Sequence, residues 1–274
     1  MRSLRVGLIG AGNMGGFLVD SIVRGEAGAV ELVGICDVVA VQGRLEALAA
    51  RAGCACTNDA LGLLQWQPAL IIEAASQQAV RAYAVPLLER GLDLLLMSVG
   101  ALADEDLCER IATAATRSGA TVRLPSGAIG GLDALMSARV AGLEDVMLVT
   151  SKPPNALAGA PFFDDHPFDL DSIKTRTVIY EGCASDAARL FPSNVNVAVA
   201  VGLAGVGPRK TRMVVVADPS LSRNVHRVTA HGAFGELSVE LSNLPSPSNP
   251  RTSYLAMLSL LNALRQINAP LRFA

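Results

Sequence analysis

The sequence lacks several features that would assign a protein to a class at once. Its 274 residues carry a formal charge of only −2, so there is no basic footprint of the kind a nucleic-acid binder needs. No apolar run reaches the roughly 18 uninterrupted residues of a spanning helix. The positive mean hydropathy is instead spread over many short runs, which argues against a membrane protein. The opening "MRSLRVGLIG" has no charged segment followed by a long apolar one, so no signal peptide is read there. Cysteines number five, an odd count: Cys36, Cys54, Cys56, Cys108 and Cys183. The Cys54/Cys56 pair has neither a nearby histidine nor a second cysteine pair. That argues against a zinc site, so no metal is expected, and it favours free thiols in a reducing cytoplasm. Lysine is limited to Lys152, Lys174 and Lys210 while arginine is plentiful; no function follows from that skew.

What is present is a large apolar fraction, 51% against 18% charged, enough to bury the core of two modest domains or one large one. Over the first 120 residues short apolar runs alternate with amphipathic ones. "LRVGLIG", "VELVGICD", "ALIIEAAS" and "DLLLMSV" read as strands, followed by "TVRLPS". Between them "GGFLVDSIVRG", "QGRLEALAARAG", "QQAVRAYAVPLLERG" and "DEDLCERIATAATRSG" read as helices. Nearly continuous apolar strands separated by helices predict a parallel sheet covered on both faces.

After Pro125 the rhythm changes to an α+β pattern with a mostly antiparallel sheet. "GGLDALMSARVAG" is helical and "EDVMLVTSK" is a strand stopped by Pro153 and Pro154. Residues 155–172 read as a loop, "IKTRTVIYEG" as a strand, "CASDAARLFP" as a short helix and "VNVAVAVGLAG" as a buried one. "TRMVVVADP" and a pair within 224–241 add three strands. Asn249–Pro250 predicts the start of the last helix, because proline suits the first helical position. The expected division is therefore 1–124, 125–248, and a C-terminal helix in 249–274 that returns to the first domain.

Gly10-Ala11-Gly12-Asn13-Met14-Gly15 matches G-x-G-x-x-G, and it follows a strand and opens a helix as a dinucleotide site requires. Gly10 permits the tight turn, Gly12 lets backbone approach a pyrophosphate, and Gly15 lets helix and strand lie close. The helix N-terminus supplies donors. Asp37 ends the second strand, 22 residues beyond Gly15, where a carboxylate can accept from ribose hydroxyls. It should also repel a 2′-phosphate, and Val38 and Val39 follow it, so NAD is favoured. Arg44 leaves limited NADP use open. Ala75–Ser76 and Ser98–Gly100 end the strands "ALIIEAAS" and "DLLLMSV", at the sheet edge where ligands bind, and their small side chains leave room for a nicotinamide.

A nicotinamide enzyme needs a proton-transfer group and anchors for substrate carboxylates. Three histidines are available. His166 lies in the acidic "FFDDHPF", read as exposed and mobile. Strand alternation sorts the other two: His231 shares a face with Arg227 and Thr229, His226 with Val228 and Ala230. From pattern alone His226 is either a satisfied core histidine or a proton-transfer group facing a pocket. Lys152 closes a strand before two prolines that could aim its ammonium, or it simply caps an exposed strand end. Of Asn194 and Asn196, one caps the helix that follows and the other is left for a ligand.

"GLIGAGNMG", "IIEAAS", "MSVGAL", "LPSGAIGGLDAL", "SKPP", "LFPSNVNVA", "NVHRV", "GAFGE" and "PSPSNPRTSYLA" run in an order that resembles the L-aspartate dehydrogenase family, over nearly the whole chain. The resemblance implies a Rossmann domain plus an α+β domain for substrate and dimer contacts. It implies NAD(P)-dependent oxidation of L-aspartate to iminosuccinate, which hydrolyses to oxaloacetate and ammonia or passes on toward NAD biosynthesis. By matching motif, His226 corresponds to the family's active-site histidine and Ala128 and Asn196 to cofactor-binding positions. Lys152 matches the "KPP" element as a substrate-binding candidate. The departures, "SKPP" before the lysine and "SPS" near Pro247, touch none of these. The implied chemistry asks for a histidine with a pKa near the usual ~6.5. Other readings are a dehydrogenase of another amino or keto acid, a non-catalytic NAD-sensing or interaction protein, and dihydrodipicolinate reductase, whose His-rich basic stretch is missing. A polyol dehydrogenase would need a lysine in "MSVGAL", which has none.

Overall fold

The computed structural model describes residues 3–191, 195–247 and 249–271. By contact the chain divides into two compact units, one formed by residues 1–125 and 257–274, the other by 126–256.

In the first unit the elements run β1 (Leu4–Ile9), α1 (Asn13–Val23), β2 (Val30–Cys36), α2 (Gln42–Ala52), β3 (Ala55–Thr57), β4 (Leu70–Glu73), α3 (Gln77–Leu88), β5 (Asp93–Leu96), α4 (Glu105–Ser118) and β6 (Val122–Arg123). The strands lie in the order β3-β2-β1-β4-β5-β6, every neighbour parallel. Leu8, Ile71, Ile72, Leu94 and Leu95 are buried. Strands covered on both faces have no polar side to show, which is why they read as unbroken apolar runs. The strand β3 has three residues, too few for any period to be visible in sequence. The helices start as the residue types dictate: Asp104 and Ser76 each accept from a backbone N–H three residues on, capping α4 and α3.

In the second unit follow α5 (Leu132–Ala141), β7 (Leu143–Lys152), α6 (Phe162–Asp165), β8 (Thr177–Cys183), α7 (Ala184–Leu190), α8 (Val195–Ala204), β9 (Arg212–Ala217), β10 (Asn224–Gly232), β11 (Gly235–Asn243), β12 (Pro245–Ser246) and β13 (Asn249–Ser253). Five strands form a sheet in the order β11-β10-β7-β9-β8. Only β7 and β9 are parallel; the other neighbours are antiparallel. Residues of β7 alternate, with Val146, Leu148, Thr150 and Lys152 buried, and β10 buries His226, Val228 and Ala230 opposite them. The helix α8 is apolar nearly all round, as a helix inside a core should be; Ala198, Val199 and Val201 are inaccessible or nearly so.

Two expectations need correction. The last helix, α9 (Tyr254–Asn268), does not begin at Asn249–Pro250: residues 249–253 are β13, paired antiparallel with β12. A two-stranded ribbon tolerates proline because its edges need no N–H on one side, so the ribbon wins over a proline-started helix. The segment 155–172 is not a plain loop. Phe162 of α6 stacks on Phe191 (centroids 5.1 Å apart) and lies edge-on to Tyr180, which anchors it. His166 is exposed, yet its ring stacks on Phe162 at 4.4 Å.

Candidate active site

The Gly-rich turn leads from β1 into α1, and each glycine has a separate reason. Gly10 has φ +115°, and a Cβ there would sit 2.6 Å from the Ala74 carbonyl oxygen. A Cβ on Gly15 would collide with the Gly10 carbonyl oxygen. At Gly12 a Cβ would meet no protein atom within 4 Å, so it would project into open space in front of the helix. Gly12 is also the N-cap of α1, with no side chain capping it, which leaves the first N–H groups at Asn13 and Met14 facing outward. A helix N-terminus so presented suits a phosphate.

Asp37 joins this turn. Its Oδ2 accepts from the Ala11 N–H at 2.7 Å and its Oδ1 from the Val38 N–H at 2.7 Å. Each oxygen keeps a further lone pair, so the carboxylate is held in place and can still accept from hydroxyls. Ala75 and Ser76 are exposed at the carboxyl end of β4, where an open parallel sheet binds its ligands. Together these groups fit a dinucleotide: donors for a pyrophosphate, an acceptor for a ribose, and a cradle that only glycine leaves open.

The second unit holds a buried polar cluster. Thr150 and His226 are register partners on β7 and β10, and the Thr150 hydroxyl lies 3.0 Å from His226 Nδ1. Lys152 follows two residues on, on the same face, and is only 5% exposed. It is therefore no solvated strand cap. Burial brings the Lys152 ammonium down to about 8. Burial, followed by the nearby Lys152 charge, brings His226 down to about 4. The ordinary histidine pKa expected from sequence is thus not what this environment gives, because a covered imidazole resists gaining charge. His231 is exposed, 3.6 Å from Glu144.

Ala128 is buried, and its carbonyl accepts from the Asn243 side chain at 2.9 Å, tying the segment before α5 to the end of β11. Asn196 is half-buried in the first turn of α8; Asn194 lies outside the described residues. Sequence reading missed Thr150, Asn243 and Glu73. The signal for Thr150 was present: a hydroxyl on the covered face of β7, two residues from Lys152. A cavity of about 380 Å³ lies beside this cluster in the chain, lined by Pro153, Asn155, Arg223, Asn224, Asn243 and Ser253. A larger surface groove between α3 and α4 brings together Glu89, Asp106, Arg110 and Arg117 but offers no reactive group. Among the described residues no group of three or more His, Cys, Asp or Glu could hold a metal ion, and no helix is long and apolar enough to cross a membrane.

Comparison with known proteins gives two family matches. Residues 10–125 match "Homoserine dehydrogenase, NAD binding domain", and residues 133–267 match "Aspartate dehydrogenase, C-terminal". The chain is 43% identical over 269 residues, 98% of both chains, to L-aspartate dehydrogenase of Methanosarcina acetivorans. It is 46% identical over 198 residues, 72% of this chain and 73% of the other, to that of Ralstonia nicotianae. The crystal structure of aspartate dehydrogenase from Thermotoga maritima superposes with a TM-score of 0.76 at 30% identity, covering all of both chains.

Proposed function

The chain belongs to the aspartate dehydrogenase family, and on that footing we propose that it oxidises L-aspartate to iminosuccinate, which water converts to oxaloacetate and ammonia, with the reverse reductive amination at the same site. The observation that carries this reading is the buried Thr150–His226 pair with Lys152 on the same face. A bound nicotinamide supplies the two-electron acceptor for the hydride that leaves the substrate α-carbon.

This chain's residues supply the rest. The substrate amine must be neutral, so that its lone pair forms the C=N bond as the hydride departs and the nitrogen then sheds its proton. His226, with Nδ1 engaged by Thr150, has Nε2 left to take that proton and, in hydrolysis, the proton of the attacking water. A dicarboxylate bound beside it raises its basicity, since nearby negative charge favours the imidazolium. Lys152 is the cation for a substrate carboxylate, and its burial strengthens that attraction by lowering the local dielectric. In the first unit the Gly-rich turn, Asn13 and Met14 hold the pyrophosphate, and Asp37 the adenosine ribose. Asp37 followed by exposed Val38 and Val39 supports NAD over NADP. Ala75 and Ser76 are assigned to the nicotinamide end, and the matching motifs assign Ala128 and Asn196 to cofactor binding.

The sheet face opposite α5 and α8 carries Met147, Val149, Val178 and Val225 beside the Arg227–Glu240 ion pair. That mixture suits a self-complementary dimer contact, and light scattering during gel filtration measures it. The five cysteines are free thiols, in keeping with a reducing cytoplasm. The decisive experiment for function is NADH formation with L-aspartate against D-aspartate, L-glutamate and L-homoserine. L-Aspartate is expected to exceed the others in kcat/KM by at least tenfold. Intact NAD binding with turnover of none of the four would leave a non-catalytic nucleotide-binding protein instead.

A further inference from the structure

Glu73 is the sole buried acid among the described residues, and the chemistry above makes no use of it. It ends β4 at the carboxyl edge of the parallel sheet. Its Oε1 accepts from the N–H groups of Ala75 and Ser76, both at 2.8 Å, and from the Ser98 hydroxyl at 2.9 Å. Its Oε2 accepts from the Ser98 N–H at 2.9 Å. One carboxyl group therefore clamps the turn after β4 to the turn after β5. The first of these turns also backs onto the Gly-rich loop, since Ala74 is what forbids a side chain at Gly10.

The position of the clamp matters. A doubly wound sheet of this order has two halves, each facing one nucleotide of a dinucleotide. Here the Gly-rich turn and Asp37 belong to the β1–β3 half, so they serve the adenosine end. The turns held by Glu73 belong to the β4–β6 half, which leaves them for the nicotinamide end. Burying a carboxyl group is expensive even with partners, and apolar side chains can join two strand ends at lower cost. Three of its four donors are backbone N–H groups, which can only donate, so what the group secures is the shape of two turns.

We propose that Glu73 is a positioning residue for the nicotinamide half of the cofactor, fixing the turns at residues 74–76 and 98–100 without touching the reacting atoms. This rests on the dinucleotide reading of the sheet edge. Glu73→Gln preserves the volume but sets an amide NH2 against donors, so the turns must shift.

The test compares ADP-ribose, which lacks the nicotinamide, with NADH, measuring Kd for both by calorimetry in the full-length enzyme. In Glu73→Gln, ADP-ribose is expected to bind within twofold of wild type, while NADH binds at least tenfold more weakly and kcat falls at least tenfold. Parallel weakening of both ligands would reduce Glu73 to a stabiliser of the fold, and no change in either would remove it from cofactor binding; each overturns the proposal. If Glu73→Gln does not fold, Ser98→Ala removes a single donor hydroxyl and carries the same comparison. Selective weakening of NADH by threefold or more supports the proposal, and parallel or absent change overturns it. Wild-type protein binding neither ligand would instead remove the dinucleotide reading itself, and the proposal with it.

Discussion

The Thr150 hydroxyl and His226 Nδ1 face each other at 3.0 Å across adjacent antiparallel strands, and neither side chain is open to solvent. A hydroxyl can donate or accept, so the pair fixes the ring while leaving its other nitrogen outside this contact. Thr150→Val keeps the shape and leaves a buried nitrogen unpaired, a loss of about 1–3 kcal/mol. We expect kcat to fall roughly tenfold or more, with aspartate KM little changed, and Thr150→Ser to restore most of it. His226→Ala should lower kcat by roughly 10²–10⁴ with NADH Kd unchanged; steady-state kinetics with fluorescence titration checks both.

Acid stability follows from the same histidine. Its folded pKa of about 4 lies below the ordinary 6.5. As pH falls below 6.5 the unfolded chain takes up a proton that the native state refuses, so stability drops until the pH passes about 4. Two and a half units correspond to about 3 kcal/mol. Urea unfolding at pH 7 and pH 4.5 should show His226→Asn losing less stability on acidification than wild type, by about 2–3 kcal/mol. Equal losses would mean that His226 contributes nothing to the acid sensitivity.

Lys152 titrates near 8 because it is buried. If its ammonium holds a carboxylate, inhibition by succinate, whose own charge is constant above neutrality, must weaken as the pH rises through 8. We expect the wild-type Ki to climb about tenfold per unit there. Lys152→Arg, which stays charged, should flatten the profile. Lys152→Met should be flat as well, and weak at every pH. A wild-type Ki independent of pH would place the carboxylate elsewhere.

The Asp37 carboxylate is pinned by the Ala11 and Val38 N–H groups, and we expect it to set the choice of cofactor. Asp37→Ser removes the charge that opposes a 2′-phosphate. The ratio of kcat/KM for NADP to that for NAD should rise by roughly 10–10², the scale of a charge-assisted contact of 1.5–3 kcal/mol. NAD use should fall in the same variant, because the ribose acceptor is weakened. Initial rates with both cofactors decide it.

Much of this was readable in the sequence because it depends on neighbours along the chain. The parallel sheet showed itself in unbroken apolar strands, and the Gly-rich turn in its spacing. Alternation on one strand was enough to put His226 on the covered face and His231 on the solvated one. Where reading failed, a distant pairing overrode a local preference: Asn249–Pro250 has the chemistry of a helix start, yet β12 captures it as a strand.

The sequence by itself determined where the parallel sheet and the Gly-rich turn lie and which face of β10 each histidine occupies, since periodicity and steric limits act over a few residues. Only the tertiary structure decided what those residues meet. Thr150 and His226 are 76 positions apart and become partners through strand register alone. Glu73 and Ser98 meet because β4 and β5 lie side by side. The lowered pKa values of Lys152 and His226 arise in the same way, because desolvation is set by everything that covers a group, and covering is a property of the whole fold.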